Sequence, residues 1–515
     1  MQFPFLSVIV FTPMVVAVLL LLMPANRKDE VRVLSAFGAF VTLALSVYVF
    51  LAYNKAGPQY QFVENFPWVP ALGINYHLAT DGIGNTMLLL TGLVIFTGCL
   101  VSWGIQDRPR EFYALLLILV SGVFGVFAAR DAFVLFFFYE LAIFPMYILI
   151  ATWGSTRKEY AAMKLTLYLL IGSVVALVGV LALYFAAPER TFDLDKLAQF
   201  AQQGKFMFPV ALPWGSKINF ESLWFLPVFI GFGVLAGIWP FHNWSPDGHV
   251  AAPTAVSMLH AGVLMKLGAF AALRMGAELM PHAARQQLPF VIFLVTVNVV
   301  YGAAIAMVQK DFKYVIGFSS VSHMGLVTMG FATMNAAGLN GAVMQMFSHG
   351  IMTALFFAVV GMIYDRAHSR DIPNLGGFVH KMPWVAIAFI IGGLVSMGMP
   401  GLSGFVAELQ IFMGVWKAGQ NGVAAWYPYI AAISSLGIIL TAAYVLRVVG
   451  QVFFGEFHEE RFHGVTDVTV LDKTVLAILV SVLVSIGVFP QLLMNMISTG
   501  TAPLVELFAR VAGGG

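Results

Sequence analysis

Cysteine is nearly absent: the 515-residue chain has one, Cys99, set in an apolar run. A lone cysteine excludes an intrachain disulfide framework and an all-cysteine metal cluster, which leaves packing as its role. Charge is scarce too, with Asp, Glu, Lys and Arg making up 10% of residues. The 27 Lys plus Arg against 25 Asp plus Glu give a formal charge of +2, so neither nucleic-acid binding nor an acidic substrate is implied. Nucleotide motifs are missing as well. Gly231-Phe232-Gly233, Gly376-Gly377 and Gly392-Gly393 lack the strand, glycine spacing and helix of a dinucleotide site, and there is no Walker sequence. The N-terminus carries neither a basic leader nor a small-residue cleavage pattern, so a retained first helix is expected in place of a signal peptide. No cofactor and no metal site follow from composition or spacing.

What is abundant is apolar sequence: 60% of residues are hydrophobic, and the mean hydropathy is +0.87. A soluble domain of this size has no means of hiding so much, so the fold class is an all-α polytopic membrane protein. With about 20 apolar residues needed per crossing, fourteen spans are expected, near 3–23, 31–53, 81–103, 112–128, 131–151, 163–186, 222–240, 254–276, 289–308, 314–335, 341–363, 383–415, 429–454 and 473–497. An even count puts both termini on one side.

The short connections carry the sidedness signal. Arg27, Lys28 and Arg32 follow span 1; Arg108 and Arg110 follow span 3; Arg157 and Lys158 follow span 5. Lys310 and Lys313 follow span 9, and Arg366, Arg370 and Lys381 follow span 11. All fall on one face, expected to be cytoplasmic, with both termini outside. The other face has longer segments, 54–80 and 187–221, the second with Arg190, Lys196, Lys205 and Lys217.

Two spans look broken. Span 7 contains Gly231, Gly233 and Gly237 before Trp239-Pro240, and span 12 contains Met399-Pro400-Gly401-Leu402-Ser403-Gly404. Non-helical backbone is tolerated at membrane depth only where protein or water meets its polar groups. Their five-span separation suggests two repeats, spans 4–8 over residues 112–276 and spans 9–13 over 289–454, flanked by 1–111 and 473–515. Paired interruptions in two halves point to an ion pathway.

Ionisable residues deep in these spans are the candidate machinery, because a charge at the bilayer centre costs about 2.5 to 3.5 kcal/mol even on the lenient insertion scale. Glu140 sits mid-span in FFFYELAIFPM; it suits a group that takes and releases a proton, or a fixed structural ion pair. Lys266, in MLHAGVLMKLGAF, has a proton affinity that a moving carboxylate would switch, or else is a static lysine satisfied by a carbonyl. His260, His323 and His349 suit proton relay, each with packing as the alternative. Glu408, a turn beyond the second break, is the candidate for exchange with the outer aqueous phase, or a cap for a broken helix. No histidine and acid cluster matches a metal motif.

Longer motifs then carry a resemblance. PFHNWSPDGHVAAPTAVSMLHAGVLMKLG (240–268), QKDFKYVIGFSSVSHMG (309–325), QMFSHGIMTALFF (345–357), GMPGLSGFVAELQ (398–410) and FFFYELAIFPMYILIATWG (136–154) resemble the antiporter-like membrane subunits of respiratory complex I, most of all the subunit M type. That resemblance implies fourteen helices with two inverted five-helix repeats and a place in a membrane arm between similar subunits. It also implies that flavin, iron–sulfur clusters and quinone belong to partner subunits, with proton translocation the role of this chain. It assigns the pathway to Glu140, Lys266, His323, His349 and Glu408; Lys164, His242 and His260 are candidate auxiliaries read from their positions.

One departure stands out. The family's lysine in span 7, the usual partner of Glu140, falls at Leu235, and its proline falls at Gly237. Lys164 or water is left as the partner expected for Glu140. The expected function is a proton-translocating subunit of an NADH:quinone oxidoreductase in a bacterial inner membrane. The alternatives are a multisubunit cation/proton antiporter, a membrane-bound hydrogenase subunit, or a coupling subunit with no complete proton path.

Overall fold

Capping residues mark where apolar runs become helices. In the computed structural model, which describes residues 3–462 and 464–513, α1 (Phe5–Leu22) and α2 (Lys28–Ala52) lead into an antiparallel hairpin of β1 (Gln61–Val69) and β2 (Ile74–Thr80). The expected long segment 54–80 is thus largely strand. Glu64 of β1 accepts the Leu6 amide at 2.9 Å and the Ser7 hydroxyl, which satisfies donors at the start of α1.

Four long helices follow: α3 (Gly82–Val101), α4 (Pro109–Ala128), α5 (Ala132–Trp153) and α6 (Lys158–Ala186). The Asp81 and Asp131 side chains accept amide hydrogens at the starts of α3 and α5. Segment 187–221 holds a short helix, α7 (Leu194–Gln202), and a small hairpin of β3 (Pro209–Ala211) and β4 (Lys217–Asn219).

Both expected breaks are present. The seventh span is α8 (Phe220–Ala236) followed by α9 (Trp244–Ala251), and Gly237 at φ +80° closes α8 in the left-handed region that glycine permits. The eighth runs from α10 (Thr254–Leu259) through a π-helical stretch (His260–Leu264) to α11 (Met265–Ala271) and a second π stretch (Ala272–Ala277). Then come α12 (Pro281–Val308), α13 (Phe312–Ala332) and α14 (Ala336–Ala367). After a short α15 (Phe378–Lys381), the twelfth span is α16 (Pro383–Ser396) and α17 (Ser403–Gln420), with Gly398 at φ +64° in the break. The chain ends with α18 (Tyr427–Val448), α19 (Val470–Val488) and α20 (Gln491–Gly513).

The expected last span, 473–497, is corrected here: it stops at Val488, where Phe489-Pro490 breaks an otherwise apolar run. Among the described residues thirteen helices are long and apolar enough to cross a membrane, α20 among them by length and composition. Yet α20 packs on α3, α12 and α14, and its Thr501 hydroxyl bonds Asn340 near the start of α14. The twelve others and the two broken spans correspond to the fourteen expected spans.

The connections expected on one face are joined there. Lys28 Nζ reaches Gln106 O at 2.8 Å, Arg110 reaches Met23 O at 3.0 Å, Trp153 Nε1 reaches Asp107 O at 2.8 Å, and Arg447 reaches Gln309 O at 2.6 Å. This is the basic face. On the opposite face Arg274, with Glu278 3.0 Å away, pairs with Asp81, and Arg130 reaches Asp195 at 2.5 Å. Burial pushes the Asp81 carboxyl up, but the Arg274 guanidinium and the Gly84 amide more than offset it and hold it below its ordinary value.

The central stretches of the eighth and eleventh spans are wholly enclosed and that of α13 nearly so, whereas α2 and α19 leave most of their surface outward. Ionisable residues in these central stretches therefore face protein and not lipid, as buried charges in membranes do.

Candidate functional site

Lys266 stands on α11 between the two π stretches. Such bulges are rare and recur at functional sites, because they re-aim side chains and loosen the hydrogen-bond ladder. The Lys266 ammonium bonds the carbonyl of Ala261, in the first stretch, and lies 2.8 Å from His349 Nδ1 on α14. Its exposure is 0%, and among the described residues no carboxylate pairs with it. With the lysine protonated, Nδ1 is the acceptor and a neutral imidazole carries its proton on Nε2.

From His349 the polar groups continue. Its ring centroid is 5.3 Å from that of His323 on α13. His323 Nε2 is 3.0 Å from Ser396 Oγ, the last residue of α16. Its Nδ1 faces a donor and an acceptor at once: Gln345 Nε2 at 3.1 Å and Glu408 Oε1 at 3.4 Å. A bare Nδ1 is met by the amide and a protonated one by the carboxylate, so both charge states have a partner. Glu408, 3% exposed, lies against Gly398 in the break, where a Cβ would come within 2.7 Å of Oε2. Gln345 Oε1, His349 Nε2 and Glu408 Oε2 are buried without a protein partner. Each such atom costs about 1 to 3 kcal/mol unless water meets it.

A second histidine pair lies near the first break. His249 Nε2 is 3.0 Å from Ser245 Oγ one turn earlier on α9, and its ring is 4.3 Å from that of His260. His260 also packs on Trp244, and neither of its ring nitrogens has a partner. His242 sits edge-on to Tyr301 with both nitrogens unpartnered, and no hydrogen bond joins it to the Lys266 series among the described residues.

The expected pairing of Glu140 with Lys164 is corrected. Lys164 Nζ is 2.7 Å from Asp247 Oδ2 on α9, and Tyr314 donates to the other oxygen of Asp247 at 2.8 Å. The broken seventh span brings Asp247 to α6, where it is the lysine's carboxylate partner. Glu140 is half-buried, with Oε1 enclosed and unpartnered. Leu235, where a lysine was expected from the resemblance, is fully buried, and its Cβ would lie 2.8 Å from one added at Gly268, two residues after Lys266.

Sequence reasoning passed over Asp247, His249, Gln345 and Ser396. The weak signal for them was local: Asp247 and His249 flank Gly248 just after the break, and Gln345 precedes His349 by one helical turn.

Comparison with known proteins places this geometry. The family model described as NADH:quinone oxidoreductase/Mrp antiporter, TM, matches residues 129–427. NADH-quinone oxidoreductase subunit M of Rhodobacter capsulatus is 36% identical over 512 residues, spanning 97% of this chain and 96% of the relative. NAD(P)H-quinone oxidoreductase chain 4 of Acaryochloris marina is 34% identical over 508 residues, 98% of this chain and 92% of that one. Among solved structures, respiratory complex I from Thermus thermophilus with bound NADH holds a chain that superposes with a TM-score of 0.85 at 28% identity, covering 99% of this chain and 100% of the other. The Mrp complex of a Dietzia species shares the fold, with a TM-score of 0.85 at 21% identity and 99% of both chains covered. The chain belongs to the NADH:quinone oxidoreductase/Mrp antiporter transmembrane family, as an antiporter-like subunit of the subunit M or chain 4 type.

Proposed function

We propose that this chain moves protons across an energy-transducing bacterial membrane as one of the membrane-arm subunits of an NADH:quinone oxidoreductase. The carrying observation is the buried series Lys266, His349, His323 and Glu408, in which each group lies within hydrogen-bond or ring-contact distance of the next. Imidazole can accept a proton on one nitrogen and release another, so two histidines between a lysine and a carboxylate form a relay that needs no movement of heavy atoms beyond rotamers.

On this reading the driving reaction, with its flavin, iron–sulfur clusters and quinone, belongs to partner chains, and no redox chemistry occurs here. The basic face is cytoplasmic and both termini lie outside. Residues 112–276 and 289–454 act as two inverted units. Two features support the repeat: Asp131 and Asp311 each precede the second helix of their unit, and each forms an isolated antiparallel bridge, to Asp193 and to Asp371. Left-handed glycines, Gly237 and Gly398, close the broken helix in both.

Leu235 favours a second reading for the first unit alone, in which Glu140 responds to a neighbouring subunit and carries no proton within this chain. Purification in mild detergent and identification of the partner chains tests the assembly. Quinone-reductase subunits are expected. Small antiporter subunits without them, together with sodium-driven proton exchange in vesicles, would move the protein to the cation/proton antiporter class.

A further inference from the structure

We infer that Lys313 is the proton-uptake residue on the basic face, feeding the route to Lys266; this deepens the proposed translocation and rests on it. In the sequence Lys313 counts as one of the charges of a short connection. The structure buries it to 4% exposure in the first turn of α13. Its Nζ reaches Ala252 O at 2.8 Å and Ser257 Oγ at 3.5 Å, and among the described residues no carboxylate lies within ion-pair distance. Buried lysines are usually paired. The Lys313 ammonium is held by neutral acceptors, while Asp311, Asp365 and Arg370 act on it only from beyond ion-pair distance, so it can give up its proton without breaking an ion pair.

Lys313 also faces water's side of the molecule. It lines a cavity of about 490 Å³ with Thr254, Tyr364, Asp365, His368 and Arg370, and the cavity's rim includes Ile105 and Trp153 of the basic-face connections. Inward of it, the Ser257 hydroxyl donates to His249 O at 2.9 Å, and the His249 and His260 rings are 4.3 Å apart. His249 Nδ1 and both nitrogens of His260 are fully buried and have no protein partner among the described residues. His260 opens the π stretch whose far end adjoins Met265 and Lys266. Cavity, Lys313, Ser257, His249, His260 and Lys266 therefore follow one another through protein interior. Asp247 lines a neighbouring cavity of about 670 Å³, but it lies two residues from His249 on α9 and so points to the other side of that helix.

Each step conserves charge. The Lys313 ammonium passes one proton, through water, to a neutral imidazole of the His249 and His260 pair, leaving an amine and an imidazolium. The imidazolium protonates the Lys266 amine once that lysine has delivered its own proton to His349. The Lys313 amine is then reprotonated from the cavity, so one proton enters for each that moves toward Glu408.

The test uses the whole complex in sealed vesicles, with protons moved per electron as the readout. Lys313→Gln keeps an amide donor for Ala252 O and removes the titrating group. Its ratio is expected to fall by the same amount as that of Lys266→Met, and the double variant is expected to fall no further than either single one. Lys313→Arg keeps the charge but does not release a proton at ordinary pH, so it is expected to match Lys313→Gln. A normal ratio in Lys313→Arg overturns the uptake role, whether or not Lys313→Gln assembles, because a fixed charge would then suffice. An unchanged ratio in Lys313→Gln beside a lowered one in Lys266→Met overturns it too. If Lys266→Met is itself unchanged, the route has failed and the uptake role falls with it.

Discussion

Lys266 Nζ on α11 and His349 Nδ1 on α14 stand 2.8 Å apart, and among the described residues neither group is paired to an acid. A lysine and a histidine this close compete for the same proton, since two adjacent positive charges in an enclosed site repel strongly. On the proposed relay the pair holds one proton in preference to two, and the arrival of a second drives the first onward to His323.

Replacing His349 interrupts that hand-over. In His349→Leu the Lys266 ammonium keeps only the Ala261 carbonyl, and the next ring in the series loses its neighbour. Positioned acid–base groups contribute about 10² to 10⁴ in rate, so coupled quinone reduction in sealed vesicles is expected to slow at least tenfold. A slow rate that persists with an uncoupler in a complex that keeps all its partner chains would locate the defect in proton movement; a normal rate would remove His349 from the path.

Glu408 supplies the acceptor that a protonated His323 needs, at 3.4 Å from Nδ1. Glu408→Gln retains size and hydrogen bonding but not the charge, and the proton-to-electron ratio is expected to drop as in a blocked outlet. Glu408→Asp is expected to keep a measurable part of it. Equal ratios in wild type and Glu408→Gln would remove this carboxylate from the path.

Lys164 answers to Asp247 and not to Glu140. A double-mutant cycle on the stability of the purified complex, built from Lys164→Gln and Asp247→Asn, is expected to show coupling of about 0.5 to 1 kcal/mol, the upper part of the range for surface pairs, since this one is largely buried. The cycle of Lys164→Gln with Glu140→Gln is expected to be additive within about 0.5 kcal/mol. Coupling in the second cycle with none in the first would reverse the assignment.

On the opposite face, the Asp193 carboxylate caps α7 and lies 3.0 Å from His77 Nδ1. Burial pushes its pKa up, but the His77 hydrogen bond and the Lys196 and Asp195 amides outweigh that, and the net direction is downward. A depressed carboxylate adds stability that is complete above its unfolded value of about 4 and disappears as pH falls through the lower folded value. Asp193→Asn keeps a good helix cap, so its cost, about 1 kcal/mol, is expected at pH 7 and expected to be smaller at about pH 3. Thermal unfolding at the two pH values measures it; an equal cost at both would mean that charge plays no part.

Most of the fold was legible because bilayer crossing demands long apolar runs, and the two breaks were legible because Gly237 and Gly398 leave glycine signatures beside prolines. The last span was misread since Pro490 interrupts a run that hydropathy alone treats as continuous. The β1–β2 hairpin was read as a connection because its strands are short of regular alternation and carry register shifts at Gln61/Glu64 and Pro67/Val69.

Within the site, the titratable residues were visible as charges out of place, but their partners were not. Asp247 meets Lys164 across 83 residues, and Lys266 meets His349 across the same separation, so only the packing of helices reveals the pairs. Lys313 was hidden for the opposite reason: it lies beside a charged connection and looks solvent-exposed until α13 is seen to start below the surface.

The most direct measurement is the number of protons moved per electron in the assembled complex carrying Lys266→Met. The buried relay predicts a lower ratio with partner subunits and peripheral redox activity intact. An unchanged ratio in a fully assembled complex would contradict it.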